Sequence, residues 1–197
     1  TYTRTQSDAQ SLNVDYAFDA VRFNSITTHK KLDLDGDYDT DFSDALLSQG
    51  LRQFNNTDID TVTQELRFSN NHSNSSHSNT LKWVGGLYFD REEREQGPYG
   101  IQFPYPPYGN FEMNAESIGD SRTQALFGQI MVPFLQNYEL TLGGRGQKVT
   151  KEIDLRMYYL PVGTTGAPVY TLNDEKSWDV FLPKIALSYK INHAWTT

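Results

Sequence analysis

The 197-residue sequence contains no cysteine, which excludes a disulfide framework, a thiolate metal site and a cysteine nucleophile. Long apolar runs are missing too, and nothing approaches the roughly 20 residues that a membrane-crossing helix needs. Positive charge is the scarcer sign: 17 Lys and Arg stand against 25 Asp and Glu, a net charge of −8. The basic residues are scattered, so no nucleic-acid footprint is present. The four histidines, His29, His72, His77 and His193, form no metal-ligand pattern. No G-x-S-x-G elbow occurs, and Glu65, Glu92, Glu93 and Glu95 have no catalytic context. Nothing therefore points to an enzyme or to a cofactor.

Aromatic residues are plentiful, with 12 Tyr, 11 Phe and 3 Trp. The mean hydropathy of −0.62 fits a soluble β-protein or the wall of a β-barrel, because a transmembrane strand shows only alternate residues to lipid.

Period-two patterning runs through the chain. Leu12, Val14, Tyr16 and Phe18 alternate with Asn13, Asp15, Ala17 and Asp19. A second, less clean run covers Val21 to Leu34. In Ile59–Ser69, Val62, Leu66 and Phe68 oppose Thr61, Thr63, Glu65 and Arg67. Further runs cover Leu81–Asp90, Ser121–Val132 and Tyr138–Ile153. The seventh, Trp178–Ile191, sets Phe181, Ile185 and Leu187 against Lys184, Ala186 and Ser188. Helical spacing is suggested only over Asp41–Phe54, through Phe42, Ala45, Leu46 and Leu47. These patterns predict an all-β fold of antiparallel strands.

Short connections near 19–20, 70–79, 133–137 and 192–193 alternate with long polar segments near 33–58, 91–120 and 154–176. In an antiparallel meander all the long segments then fall at one end. Runs of 10 to 14 residues with short turns at one end and long loops at the other predict part of a transmembrane β-barrel. Leu12, Val14, Ile185 and Leu187 would face lipid, and Arg67 and Arg145 the lumen, paired with an acid such as Glu65. The chain opens on Thr1 with no leader features and closes on what reads as a starting strand, Ala194-Trp195-Thr196-Thr197. It is expected to be an excerpt, 1–197 being a piece of one barrel domain.

Two segments carry candidate chemistry. Segment 91–120 holds Tyr99, Phe103, Tyr105, Tyr108 and Phe111 among four prolines. Such stiffened rings offer flat apolar faces to a ligand, and they could equally pack on one another to hold the loop. The segment Asp33–Asp44 has six Asp and no base. Its Gly36 is fourth where a calcium loop wants the sixth position, so a solvated acidic loop is expected. The sequons at Asn55, Asn71 and Asn74 carry meaning only if the source glycosylates them, and none if it is bacterial.

The segments Thr63-Gln64-Glu65-Leu66-Arg67-Phe68-Ser69 and Leu81-Lys82-Trp83-Val84-Gly85-Gly86-Leu87-Tyr88-Phe89 resemble a hairpin of the TonB-dependent outer-membrane receptors. Gln124-Ala125-Leu126-Phe127-Gly128-Gln129-Ile130, with Leu140-Thr141-Leu142-Gly143-Gly144-Arg145, is similar to a second strand pair of that family. Trp178-Asp179-Val180-Phe181-Leu182-Pro183-Lys184-Ile185-Ala186-Leu187-Ser188-Tyr189 resembles a third block, in the family's order. Gly146 departs from the pattern, which has an aromatic after the Arg.

The resemblance implies the middle of a barrel of about 22 strands, closed by a plug that this segment lacks. It further implies residence in the bacterial outer membrane, contact with its lipid, coupling to TonB through the plug, and uptake of a ferric siderophore or related iron complex. No cofactor and no nucleic acid are implied. A soluble extracellular β-sandwich acting as a carbohydrate-binding or adhesive module is the alternative that the residues leave open.

Overall fold

The computed structural model describes residues 1–42, 50–70, 81–135, 137–192 and 195–196. They form one antiparallel sheet in strict sequence order. The strands are β1 (Tyr2–Ala17), β2 (Val21–Asp39), β3 (Arg52–Asn70), β4 (Lys82–Pro104), β5 (Asn110–Phe134), β6 (Tyr138–Pro161), β7 (Tyr170–Asn192) and the short β8 (Trp195–Thr196). No second layer covers either face among the described residues, so the sandwich alternative falls.

The expected long loops are largely strand. Segment 91–120 is the upper half of a hairpin, interrupted at Gly97-Pro98 and open between Pro104 and Asn110, and segment 154–176 narrows to a connection between Pro161 and Tyr170. The acidic stretch from Asp33 to Asp39 is the end of β2, not a loop. Of the expected helix, Arg52–Phe54 is strand, and 43–49 lie outside the described residues. Long cross-strand ladders satisfy each backbone amide, so a hairpin can extend wherever neither face clashes. Asn70 and Leu81, and likewise Leu135 and Asn137, stand together at the short-turn end, and the expected turn residues 71–80 lie outside the described residues. There the Asn70 side chain donates to the Leu81 carbonyl (2.7 Å) and accepts from the Trp83 amide (2.9 Å).

Register assigns every side chain to one of two faces, since directly paired residues share a face. Leu12, Val62, Leu66, Leu87, Leu126, Ile130, Leu142, Ile185 and Leu187 fall on one face, which is the lipid face. Its lower margin carries rings in mutual contact: Tyr16–Phe18 at 4.6 Å, Phe23–Phe68 at 5.2 Å, Phe134–Tyr138 at 5.5 Å and Tyr138–Tyr189 at 4.7 Å. This is the aromatic girdle of a membrane interface.

On β5 the apolar band runs from Leu126 to Phe134. At ~3.3 Å per residue and a ~40° tilt it is roughly 23 Å tall, close to the ~25 Å expected of an outer-membrane barrel. The whole of β5 would reach roughly 60 Å on the same geometry, so more than half of the wall stands above the membrane.

The opposite face of the membrane zone is polar and paired. Arg22 binds Asp15 (2.9 Å), Lys82 binds Glu139 (3.0 Å), Lys184 donates to Gln129 (2.9 Å), and Arg67 pairs with Glu65. Arg67 thus takes the expected partner. Arg145 lies on the same face but takes no acid; its guanidinium sits 4.8 Å from the Tyr88 ring centre and donates to Gln147 (2.7 Å).

Candidate functional site: the inner wall above the membrane

Above the membrane the two faces exchange character. Along Leu32-Asp33-Leu34-Asp35-Gly36-Asp37-Tyr38-Asp39 the acids share the outer face, and Leu32, Leu34 and Tyr38 the inner one. On β4 to β6 the outer face likewise carries Glu93, Glu95, Asp120, Glu116 and Asp154. The inner face there carries Tyr99, Ile101 and Phe103 from β4, Phe111, Met113 and Ala115 from β5, and Leu155, Met157 and Tyr159 from β6. Below, lipid requires an apolar outside; above, the outside meets water and the inside becomes the apolar side.

A one-residue irregularity in β4 places the aromatic run. Pairing with β5 shifts between Gln96 and Tyr99, and pairing with β3 between Phe54 and Thr57. Strict alternation upward from Phe89 would send Tyr99, Ile101 and Phe103 outward; the bulge absorbs one residue and turns them inward. Gly97 serves the bulge with φ of 141°, where a Cβ would lie 2.8 Å from the Glu116 Cα. Only glycine tolerates that combination.

Beside the bulge a concavity of ≈700 Å³ opens, lined among others by Tyr38, Gln53, Tyr99, Ile101, Met113 and Met157. Its remaining lining, Phe54, Asn55, Gln96, Gly100, Asn114 and Ala115, is equally uncharged.

The five aromatics named from sequence separate into two groups. Tyr99 lines the concavity. Phe103 and Phe111 pair across β4–β5 and both meet Tyr159, at 6.1 and 5.3 Å. Tyr105 and Tyr108 stack at 5.9 Å in the hairpin tip, with Tyr105 edge-on to Phe111 at 5.5 Å. Tip hydrogen bonds from Tyr105 to Gly109 (2.7 Å) and from Tyr108 to Tyr105 (2.8 Å) hold the turn. The rings thus pack on one another and also present a continuous surface, with Tyr108 73% exposed at its end. Tyr38, Met113, Met157 and Tyr159 were not foreseen. The Leu–Asp alternation of 32–39 carried the signal for Tyr38.

On the outer face Arg52 fixes the upper ends of β2 to β4. Its Nε donates to both Asp37 carboxylate oxygens (2.9 and 3.0 Å), and its Nη1 reaches Gln102 (3.4 Å). Asp37 and Gln102 are buried, and the Arg52 hydrogen bonds hold the Asp37 carboxyl below its ordinary range. A carboxyl lowered on folding stabilises above its unfolded-state value and loses that contribution as pH falls through the folded one. Acidification below the ordinary aspartate value of 3.8 is therefore expected to lower amide protection, taken relative to the intrinsic exchange rate at each pH, at Asp37–Asp39 and Arg52–Phe54. Arg52→Met should lower that protection already at neutral pH and remove its acid dependence; an unchanged protection profile in that variant would refute the clamp. His29 and Lys31 share Asp60 on the same face (2.9 and 3.3 Å), which gives His29 a carboxylate partner within the wall.

A meandering sheet with an apolar, ring-edged outer band and a paired polar inner face has the build of a transmembrane β-barrel wall. The whole chain, residues 1–197, matches the family model described as TonB dependent receptor-like, beta-barrel. The chain belongs to the TonB-dependent receptor family, whose members are transport receptors rather than enzymes.

Among solved structures it is similar to the ferric yersiniabactin uptake receptor FyuA from Yersinia pestis (TM-score 0.75, 16% identity over 99% of this chain). It is also similar to the ferric-catecholate import receptor Fiu from E. coli K12 (0.68, 14%, 97%) and to the siderophore receptor PiuA from Acinetobacter baumannii (0.61, 14%, 96%). The chain spans 27%, 34% and 31% of the length of those proteins. At such identities the likeness is one of fold.

Proposed function

We propose that this chain is one wall of an outer-membrane receptor that imports a ferric siderophore or related iron complex, driven by TonB acting on a plug domain. The observation that carries the reading is the exchange of polarity above the membrane. A water-exposed wall has no reason to be aromatic on its inner face unless something apolar is held there. Tyr99, Phe103 and Phe111 are the proposed ligand contacts, and Tyr105 and Tyr108 at the tip the first rings an incoming ligand meets. Aromatic faces bind at low entropic cost because few torsions are frozen. Two of the three similar receptors are named for ferric ligands and the third for a siderophore, which supports the iron reading.

The test is uptake of radioactive iron complexes by iron-starved cells expressing the full-length receptor. Uptake is expected to fall to background when TonB is removed. Tyr99→Ala is expected to lower it roughly tenfold, one ring contact being worth about 1–1.5 kcal/mol. Uptake that persists without TonB, or a receptor found outside the outer membrane, would sink the proposal.

A further inference from the structure

The concavity beside the β4 bulge contains no charged side chain, in a wall whose outer face is crowded with them. Its floor is Ile101, Met113, Ala115 and Met157, and its polar groups are amides and phenols: Gln53, Asn55, Gln96, Asn114, Tyr38 and Tyr99. The rings of Phe103, Phe111 and Tyr159 continue it upward with no charge among them. Three cations stand on the strands nearby, and none lines the concavity. Arg156, beside Met157 on β6, lies on the outer face with Asp154 at 3.3 Å. Arg52 lies on the outer face and is occupied by Asp37. Arg94 stands on the inner face two residues below Gln96, outside the concavity, and has Glu92 beside it at 3.4 Å.

An anionic group seated against such a surface would lose its hydration and gain no cation from this wall. The acids on the outer face would add repulsion. A neutral ring loses little: it exchanges water for ring and thioether contacts and leaves the amides to bond its heteroatoms.

We propose that this wall holds an uncharged, ring-bearing edge of the ligand, and that the anionic oxygens around the metal lie away from it. The proposal rests on the receptor reading above and adds the orientation of the ligand to it. The two thioethers, Met113 and Met157, mark the contact. Met113 is 46% exposed on the inner face, so a longer or charged side chain is accommodated there without disturbing a core.

The experiment uses the full-length receptor, purified from outer membranes in detergent and titrated with two probes. These are a neutral, ring-bearing ferric tris(hydroxypyridinonate) and a trianionic ferric triscatecholate. Met113→Lys and Met113→Glu are both expected to weaken the bound probe by tenfold or more, because either charge must be desolvated against the ring edge. Met113→Leu is expected to bind as the parent does, and Met157→Lys to behave as Met113→Lys, which covers a folding defect confined to one variant.

Opposite effects, with Lys tightening the trianion and Glu weakening it, would overturn the proposal by placing the anionic centre on this wall. Unchanged affinity in both charged variants would overturn it as well, since the wall would then touch no ligand. The receptor reading is tested apart, by the loss of iron uptake in cells without TonB, and its failure would take this proposal with it. The first two outcomes defeat the orientation alone.

Discussion

Gly97→Val is expected to lower ligand uptake roughly 100-fold while leaving the receptor assembled in the membrane. At φ of 141° a β-branched residue is strongly disfavoured, and its Cβ would meet the Glu116 backbone at 2.8 Å. Without the bulge, strict alternation carries Tyr99, Ile101 and Phe103 to the outer face. Three inner contacts at about 1 kcal/mol each disappear, and 1.4 kcal/mol is a factor of ten. The membrane band lies below the bulge, on Trp83 to Phe89 of β4, and is not disturbed.

The same geometry predicts a rescue. Gln96 pairs with Ser117 and Tyr99 with Ala115, so β4 has two residues where β5 has only Glu116. Deleting Pro98 from the Gly97→Val variant removes the surplus residue and lets the substituted position face Glu116 in an ordinary ladder. Tyr99 then remains opposite Ala115 on the inner face, and uptake should return to within a few-fold of the parent. If the deletion fails to rescue, the bulge does more than set the face of the strand.

Ile185→Arg is expected to impair barrel assembly, whereas Ser188→Arg, three residues along the same strand, is tolerated. Ile185 is 77% exposed on the lipid face and pairs with Leu142, in the row that includes Ile130. An arginine at that depth costs about 2–4 kcal/mol. Ser188 faces the lumen opposite Glu139, where an arginine meets water and a carboxylate. Folding of the full-length receptor into lipid vesicles, followed in urea, reads the difference. Equal stability of the two variants would contradict the assignment of faces.

Much of the membrane zone was legible in the residues. Leu12, Val14 and Tyr16 on β1, Val62, Leu66 and Phe68 on β3, and Phe181, Ile185 and Leu187 on β7 alternate cleanly, because lipid on one side and water on the other impose opposite demands. Above the membrane that contrast weakens. Asp33, Gly36, Gly97, Pro98 and Gly109 carry the composition of loops, and 33–58, 91–120 and 154–176 read as loops for that reason. In the structure their backbone amides find partners across the ladder, and the strands continue to Asp39, Pro104 and Pro161.

By itself the sequence determined the all-β class, the meander, the lipid and lumen faces, and the family. These follow from period-two alternation and from short turns, which are local properties of neighbouring residues. It also singled out the aromatics from Tyr99 to Phe111 as the place to look. Only the tertiary structure decided which way they point. That depends on whether β4 absorbs one residue at Gly97-Pro98 against both neighbours, and on Tyr38, Met113, Met157 and Tyr159 arriving from three other strands. A face is set by register, and register belongs to the pairing of strands rather than to any one of them.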